Sequence, residues 1–267
     1  MHLPIPFFRE AGSGPSVVCL HANASTSGQW QPLMGALAPG YRVLAADLYG
    51  AGKTPAWPAH RPLALHDEVA LLEPVFERAA ERCVLVAHSY GAAVGLTAAL
   101  RAPQRFSALA IYEPTLFSLL DAEAPAPNAA DGIRAAVAGA VAALAAGDRQ
   151  LAAERFIDYW MGSGTLRAMP ERRREAVAGS MLQVRHWADA LFGDRTPLAA
   201  FAELKLPVLF MLGKRSPASA RGVARLLLET LPNVQVAEFD ALGHMGPVTH
   251  PDVVNAVIAR FLQSASN

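Results

Sequence analysis

Hydrophobic and polar positions along the chain follow two alternating patterns. Short apolar runs rich in β-branched residues predict strands, and the longer segments between them carry apolar residues at helical spacing. The predicted strands cover residues 5–9, 17–21, 42–47, 84–88, 109–113, 208–213 and 234–240. The predicted helices cover residues 29–38, 66–80, 90–101, 219–230 and 252–263. This alternation indicates an α/β fold with a mostly parallel central sheet flanked by helices.

The alternation stops between the fifth and sixth predicted strands. The sequence there is rich in alanine and predicts helices over residues 129–146, 150–161 and 171–191. Aromatic residues such as Trp160 and Trp187 recur at spacings that give these helices an apolar face. The proline-containing residues 122–128 predict a hinge leading into the segment. We therefore expect a core of residues 1–116 and 197–267 with an inserted helical cap of residues 117–196.

Length and charge narrow the class of protein. A chain of 267 residues can bury a large core without metals or disulfides. The formal net charge of +0 gives no electrostatic reason to expect nucleic acid or an anionic membrane as a partner. The start MHLPIPFFREAG lacks the features of a secretory signal, and Cys19 and Cys83 lie in apolar runs as expected of reduced thiols. A soluble, cytoplasmic protein is expected.

The densest chemical signal is VLVAHSYGAAVG, residues 84–95. It predicts a buried strand, a tight turn at Ser89 and a helix that opens with small residues. A nucleophile on such a turn needs small neighbours two positions away on either side, and Ala87 and Gly91 meet that condition. A serine that merely caps the following helix is the alternative interpretation.

A serine attacks only if a base takes its proton. His244 is the candidate, because it lies in the polar, glycine-containing loop DALGHMGPVTHP between the last predicted strand and the last helix. His250, beside Pro251, fits a cap of the final helix better than a base.

Four segments in this order resemble the α/β-hydrolase superfamily across nearly the whole chain: LHANASTSGQW, AADLYGAGKT, VAHSYGAAVG and ALGHMGPVTHP. The resemblance implies the α/β-hydrolase fold and an oxyanion hole made by the backbone N–H groups of Asn23 and Tyr90. It departs from the family at Ala22, which replaces the glycine of the usual His-Gly pair. His21 is expected to hold its loop by hydrogen bonds.

The acid of the implied triad is out of its usual place. Most of the family carries it in a G-x-x-D-P arrangement, whereas this chain has GKRSP, with Ser216 at the acid position. Haloalkane dehalogenases use another place, the end of the strand adjacent to the nucleophile strand, and Glu113 stands there. We take Glu113 as the acid and Asp121 as the weaker alternative; Asp47 and Asp240 are expected to be structural.

These residues predict a serine hydrolase acting on a small, largely apolar carboxylic ester or related acyl compound. The segment HANASTS resembles HGNPTS of haloalkane dehalogenases, but that chemistry needs a carboxylate nucleophile and argues against dehalogenation here. C–C bond hydrolysis, a cofactor-free perhydrolase and a ligand-binding protein that has lost its acid remain alternatives. We expect a small-molecule partner and no metal or nucleotide cofactor, and the sequence leaves a homo-oligomer open.

Overall fold

The computed structural model describes residues 4–58, 60–79 and 82–265. Within them, a sheet of seven strands forms the centre of the molecule. The strands are β1 Phe8–Ala11, β2 Ser16–Leu20, β3 Arg42–Ala46, β4 Cys83–His88, β5 Phe106–Tyr112, β6 Val208–Gly213 and β7 Val234–Phe239. Their order is β1-β3-β2-β4-β5-β6-β7; β1 is antiparallel to β3, and every other neighbouring pair is parallel. The mostly parallel sheet is confirmed.

Helices cover both faces of the sheet, so the inner strands are buried throughout and their sequences are apolar on both sides. The α-helices are α1 Gln31–Leu37, α2 Leu65–Arg78, α3 Tyr90–Arg101, α4 Ser118–Glu123, α5 Asp131–Ala145, α6 Arg149–Met161, α7 Thr165–Ala168, α8 Glu171–Ser180, α9 Val184–Gly193, α10 Ala218–Thr230, α11 Gly246–Thr249 and α12 Pro251–Ala265. Among the described residues, no helix combines the length and the apolar character needed to cross a bilayer.

Several predicted boundaries are wrong, each for a local reason. The first strand begins at Phe8 instead of residue 5, since proline at positions 4 and 6 has no N–H to donate to a ladder. Helix α2 ends at Arg78, and the predicted end at Ala80 lies outside the described residues. The single helix predicted over residues 171–191 is two helices, α8 and α9, which are joined by a 3₁₀ turn. At that junction Ser180 donates its hydroxyl to the carbonyl of Val177, a bond that competes with the helix.

Helices α4 to α9 all lie between β5 and β6, inside the segment predicted as a cap. Their apolar faces pack on one another, and α4, α5 and α9 also contact α10 or α3 of the core. The hydroxyl groups of Tyr159 on α6 and Ser219 on α10 lie 2.7 Å apart and join this segment to the helix that follows β6. Cys19 and Cys83 are buried free thiols in β2 and β4.

Candidate active site

Ser89 lies on the turn between β4 and α3. Its backbone has φ 56° and ψ −115°, a conformation that is strained for a residue with a side chain. The turn is secured by two backbone bonds, from the Ser89 N–H to the carbonyl of Tyr112 (2.9 Å) and from the Gly91 N–H to the carbonyl of His21 (3.1 Å). A Cβ at position 91 would lie 2.6 Å from that His21 oxygen, so the close approach requires glycine.

The loop after β7 brings His244 to this turn. Its Nε2 lies 2.8 Å from Oγ of Ser89, and its Nδ1 lies 2.7 Å from Oε2 of Glu113. Since a carboxylate only accepts, Nδ1 carries the proton and Nε2 accepts from the serine hydroxyl. The structure thus joins three of the residues predicted for the site into one hydrogen-bonded line.

Glu113 follows the last residue of β5 and has φ 43°, in the left-handed region. The strand therefore ends one residue earlier than predicted. The carboxylate of Glu113 reaches the carboxyl end of the neighbouring strand β6. There Oε1 accepts hydrogen bonds from the Gly213 N–H and from the Ser216 hydroxyl, each over 2.7 Å. With the imidazole of His244 on Oε2, three donors offset the desolvation of a side chain that is fully buried.

The other candidate residues have different partners. Asp121 forms an ion pair with Arg134 of α5, with 2.7 Å between Oδ1 and the guanidinium nitrogen. Asp47 accepts backbone N–H groups from two neighbouring loops, and exposed Asp240 pairs with a lysine. The ring of exposed His250 lies against the hydroxyl of Thr249. The structure brings none of these four residues to Ser89, including Asp121, the weaker alternative for the acid.

The segment after β2 also lies at the site, beside the turn of Ser89. His21 donates from Nδ1 to the carbonyl of Ala22 (2.7 Å) and accepts the Leu48 N–H on Nε2 (3.1 Å), so it holds the loop as expected. Burial lowers the pKa of His21, which favours the neutral ring that these bonds require. Within the described part of the chain, the N–H groups of Asn23 and Tyr90 donate to no other protein atom.

Residues 17–257 match the model of a family described as the alpha/beta hydrolase family. The chain belongs to the α/β-hydrolase family. Among curated proteins, it is 28% identical over 267 residues to the pimeloyl-[acyl-carrier protein] methyl ester esterase of Aeromonas hydrophila subsp. hydrophila, which covers 94% of this chain and 96% of that one.

Two further similarities have different extents. A haloalkane dehalogenase of Agrobacterium fabrum is 36% identical over 111 residues, which is 40% of this chain and 35% of that protein. The crystal structure of an alpha/beta hydrolase from Sphaerobacter thermophilus has a TM-score of 0.72 at 26% identity and covers 96% of both chains. The fold similarity therefore extends over nearly the whole chain, whereas the dehalogenase similarity is local.

Two site residues of this α/β hydrolase escaped the sequence analysis. Gln29 accepts the Ala22 N–H on Oε1 (3.2 Å) and donates from Nε2 to Nδ1 of His88 (3.1 Å). His88 in turn donates from Nε2 to the carbonyl of His244 (2.8 Å). Burial holds the pKa of His88 well below its usual range, as this neutral tautomer requires. The chain of bonds connects the loop after β2, the end of β4 at the turn of Ser89 (the nucleophile elbow, residues 88–91) and the loop of His244. No spacing rule pairs residues this far apart.

A second buried acid lies beneath the elbow of the hydrolase. Glu68 on α2 accepts the hydroxyl of Tyr90 on Oε1 (3.0 Å) and the Tyr49 N–H on Oε2 (3.1 Å). Burial raises the pKa of this carboxyl to about 7. The side chain of the residue after Ser89 is thereby anchored to a group that titrates near neutral pH.

A cavity lies between Ser89 and the helices of the insertion. Apolar side chains of α5, α6, α8 and α9 line most of it, and the cation of Arg173 is the one permanent charge among its described lining residues. The cavity has a volume of about 60 Å³, room for a few water molecules. The hydroxyl of Thr115 and the side-chain oxygen of Asn23 reach this lining with no hydrogen-bond partner in the described protein.

Proposed function

We propose that this hydrolase cleaves small, largely apolar carboxylic esters through an acyl-enzyme, with Ser89 as nucleophile, His244 as base and Glu113 as acid. The observation that carries the proposal is the hydrogen-bonded line from Oε2 of Glu113 through His244 to Oγ of Ser89 at the edge of an apolar cavity. A nucleophile within reach of a base that is itself oriented by a third group is the arrangement that acyl transfer needs.

In the first half-reaction Oγ of Ser89 attacks the ester carbonyl carbon, and its proton moves to Nε2 of His244. Glu113 stabilises the imidazolium that forms and keeps the Nδ1 proton in place. The N–H groups of Asn23 and Tyr90, which have no partner in the described protein, donate to the oxyanion. Collapse of the tetrahedral intermediate breaks the ester bond, and the alcohol leaves with the proton from Nε2.

The second half-reaction repeats these steps with water. His244 takes a proton from a water molecule, whose oxygen attacks the acyl carbon on Ser89. Collapse of this intermediate breaks the bond to Oγ, which regains its proton from Nε2, and the carboxylic acid departs. The proton relay therefore operates twice in one catalytic cycle, and water is the only reactant besides the ester.

The cavity supports a small and mostly uncharged substrate. Its walls are aliphatic and aromatic, and the space left between them is narrow. We propose that residues 117–196 serve as the cap that supplies these walls. The curated relative that acts on a methyl ester supports an ester with a small alcohol group.

Ser216 is the feature that suggested loss of catalytic function, because it stands where the family usually has the acid. Its hydroxyl bond to Glu113 supports a different interpretation, in which serine at this position assists a relocated acid. A purely ligand-binding role has no remaining specific support.

The test is hydrolysis of p-nitrophenyl esters of two to eight acyl carbons by the wild type and by Ser89→Ala. We expect turnover that falls with acyl length, a burst of one p-nitrophenol per enzyme, and loss of about 10⁴-fold or more in kcat for the variant. Ser264→Ala, at an exposed position of α12, is the matched control. Turnover that survives Ser89→Ala, or no turnover by the wild type, overturns the proposal.

A further inference from the structure

Trp160 of α6 stacks on the ring of His244. The ring centroids lie 3.9 Å apart and the planes are inclined by 25°. The two ring nitrogens of His244 form hydrogen bonds with Ser89 and Glu113, and the indole lies against the face of the ring. This is closer contact than lining a shared cavity requires, as Trp187 lines the same cavity and its aromatic contact is with Phe156.

The indole is fixed by other aromatic side chains. Tyr159 meets it edge-on at 4.9 Å between centroids, and Phe117 lies nearly parallel to it at 6.3 Å. The hydroxyl of Tyr159 is in turn bonded to Ser219 on α10. The plane of Trp160 is therefore set by two rings of the insertion, one of which is bonded to the core through Ser219, and Trp160 is only 8% exposed.

We propose that Trp160 is a positioning residue that fixes the plane of His244 and stabilises its imidazolium form during the reaction. This inference rests on the proposed function, in which His244 gains and loses a proton in each half-reaction. The face of an indole carries negative potential and attracts a cation within about 6 Å of its centroid. A neutral imidazole gains less from that face than an imidazolium does, so the contact favours the state in which Nε2 has received the serine proton.

Other groups also face His244 and must be kept constant in any test. Glu113 of the loop after β5 accepts from Nδ1, and His88 of β4 has its ring centroid 5.3 Å away. Arg173 of α8 lines the same cavity. A substitution at Trp160 leaves all three in place, so a change in the protonation of His244 can be assigned to the lost indole.

The first test compares the pH dependence of kcat/KM in three variants. Trp160→Leu keeps the position apolar but removes the aromatic face, and Trp160→Phe restores a smaller one. We expect the acid limb of the profile to move to lower pH by about half a unit in Trp160→Leu, with kcat about tenfold lower, and to return part of the way in Trp160→Phe. Trp187→Leu is the matched control, expected to change KM but not the acid limb.

A second measurement needs no turnover. Protonated imidazole in contact with an indole quenches its fluorescence. The emission of Trp160, measured as the difference between the wild type and Trp160→Phe, should therefore change with pH. We expect this titration to vanish in His244→Gln and to share its midpoint with the acid limb. An unmoved acid limb in Trp160→Leu, an equal shift in Trp187→Leu, or emission independent of His244 overturns the inference. Failure of the wild type to turn over overturns the proposed function instead, and fluorescence still reports the contact.

Discussion

The hydroxyl of Ser216 donates to the carboxylate of Glu113 over 2.7 Å. Ser216 stands on the loop after β6, where the resemblance to the family places the triad acid, and Glu113 follows the neighbouring strand β5. Because the carboxyl ends of β5 and β6 lie side by side, either position can present a side chain to His244. The two side chains therefore meet beside His244. The residue after β5, Glu113, supplies the carboxylate, and Ser216 after β6 supplies a hydrogen-bond donor to it.

Because the side chains of Glu113 and Ser216 meet, we expect that a carboxylate at position 216 can replace the one at position 113. Glu113→Gln should lower kcat by about 10⁴-fold, since the amide cannot stabilise the imidazolium or hold its tautomer. Adding Ser216→Asp should then restore about 10²-fold, because a carboxylate at 216 begins from a Cβ already within reach of the space that Glu113 fills. Ester hydrolysis by the single and double variants measures both effects.

The control for this rescue places the same new side chain one residue away. Arg215 is exposed, so Glu113→Gln combined with Arg215→Asp should stay as slow as Glu113→Gln alone. Equal rates for the two double variants would contradict a shared position. Nearly unchanged activity in Glu113→Gln would remove this residue from the triad.

The chain of hydrogen bonds from Ala22 through Gln29 and His88 to His244 can be tested by substituting Gln29. Gln29→Leu leaves the Ala22 N–H and Nδ1 of His88 without their partner, and the loops of Asn23 and His244 lose their connection. We expect kcat to fall about tenfold with a smaller change in KM, because misplacement of a reacting group affects the transition state most. Steady-state kinetics of Gln29→Leu and of Gln31→Leu, an exposed neighbour, check this. Parallel losses in both variants would show a general effect on the chain around the start of α1 and not on the hydrogen bonds of Gln29.

The sequence predicts the fold well because its main determinants are local. Strand and helix patterns follow from the period of apolar residues, and the elbow follows from small residues around Ser89. A buried partner for Glu113 could be anticipated for the same reason, since an acid at the end of an apolar strand requires a partner, although β5 ends one residue before it. The distances to His244 then accord with that expectation, although the catalytic roles stay a proposal.

Other features depend on contacts between segments that no local pattern encodes. The link from Gln29 to His88 spans 59 residues, and the stack of Trp160 on His244 joins an inserted helix to a loop near the end of the chain. Sequence placed Trp160 on an apolar face, which fits a buried cap residue as well as a contact with the base. The partners of Asp121 and the break between α8 and α9 were missed because both depend on side-chain bonds formed only after folding.

The elbow makes a prediction about stability. Gly91→Ala places a Cβ 2.6 Å from the carbonyl oxygen of His21, a backbone atom that cannot move without shifting β2. We expect a loss of about 2 kcal/mol or more in the free energy of unfolding, measured by urea denaturation. Gly35→Ala is the control, because that helical position has open space around it and alanine there should stabilise by about 0.5–1 kcal/mol. Similar stabilities for the two variants would mean that the turn relaxes around the methyl group.

Glu68 predicts how stability changes with pH. Burial raises the pKa of its carboxyl from 4.5 to about 7, so the folded protein retains a proton that the unfolded chain releases between these values. The contribution of Glu68 to the free energy of unfolding should therefore be fully present below pH 4.5 and be lost as pH rises through 7. The loss from this group should be roughly 2–3 kcal/mol. Glu68→Gln cannot ionise and should lack this decline, whereas Glu77→Gln, exposed on the same helix, should keep it. Urea denaturation of all three proteins at pH 5 and pH 8 measures the difference, and parallel declines in the wild type and Glu68→Gln would show that another group is responsible.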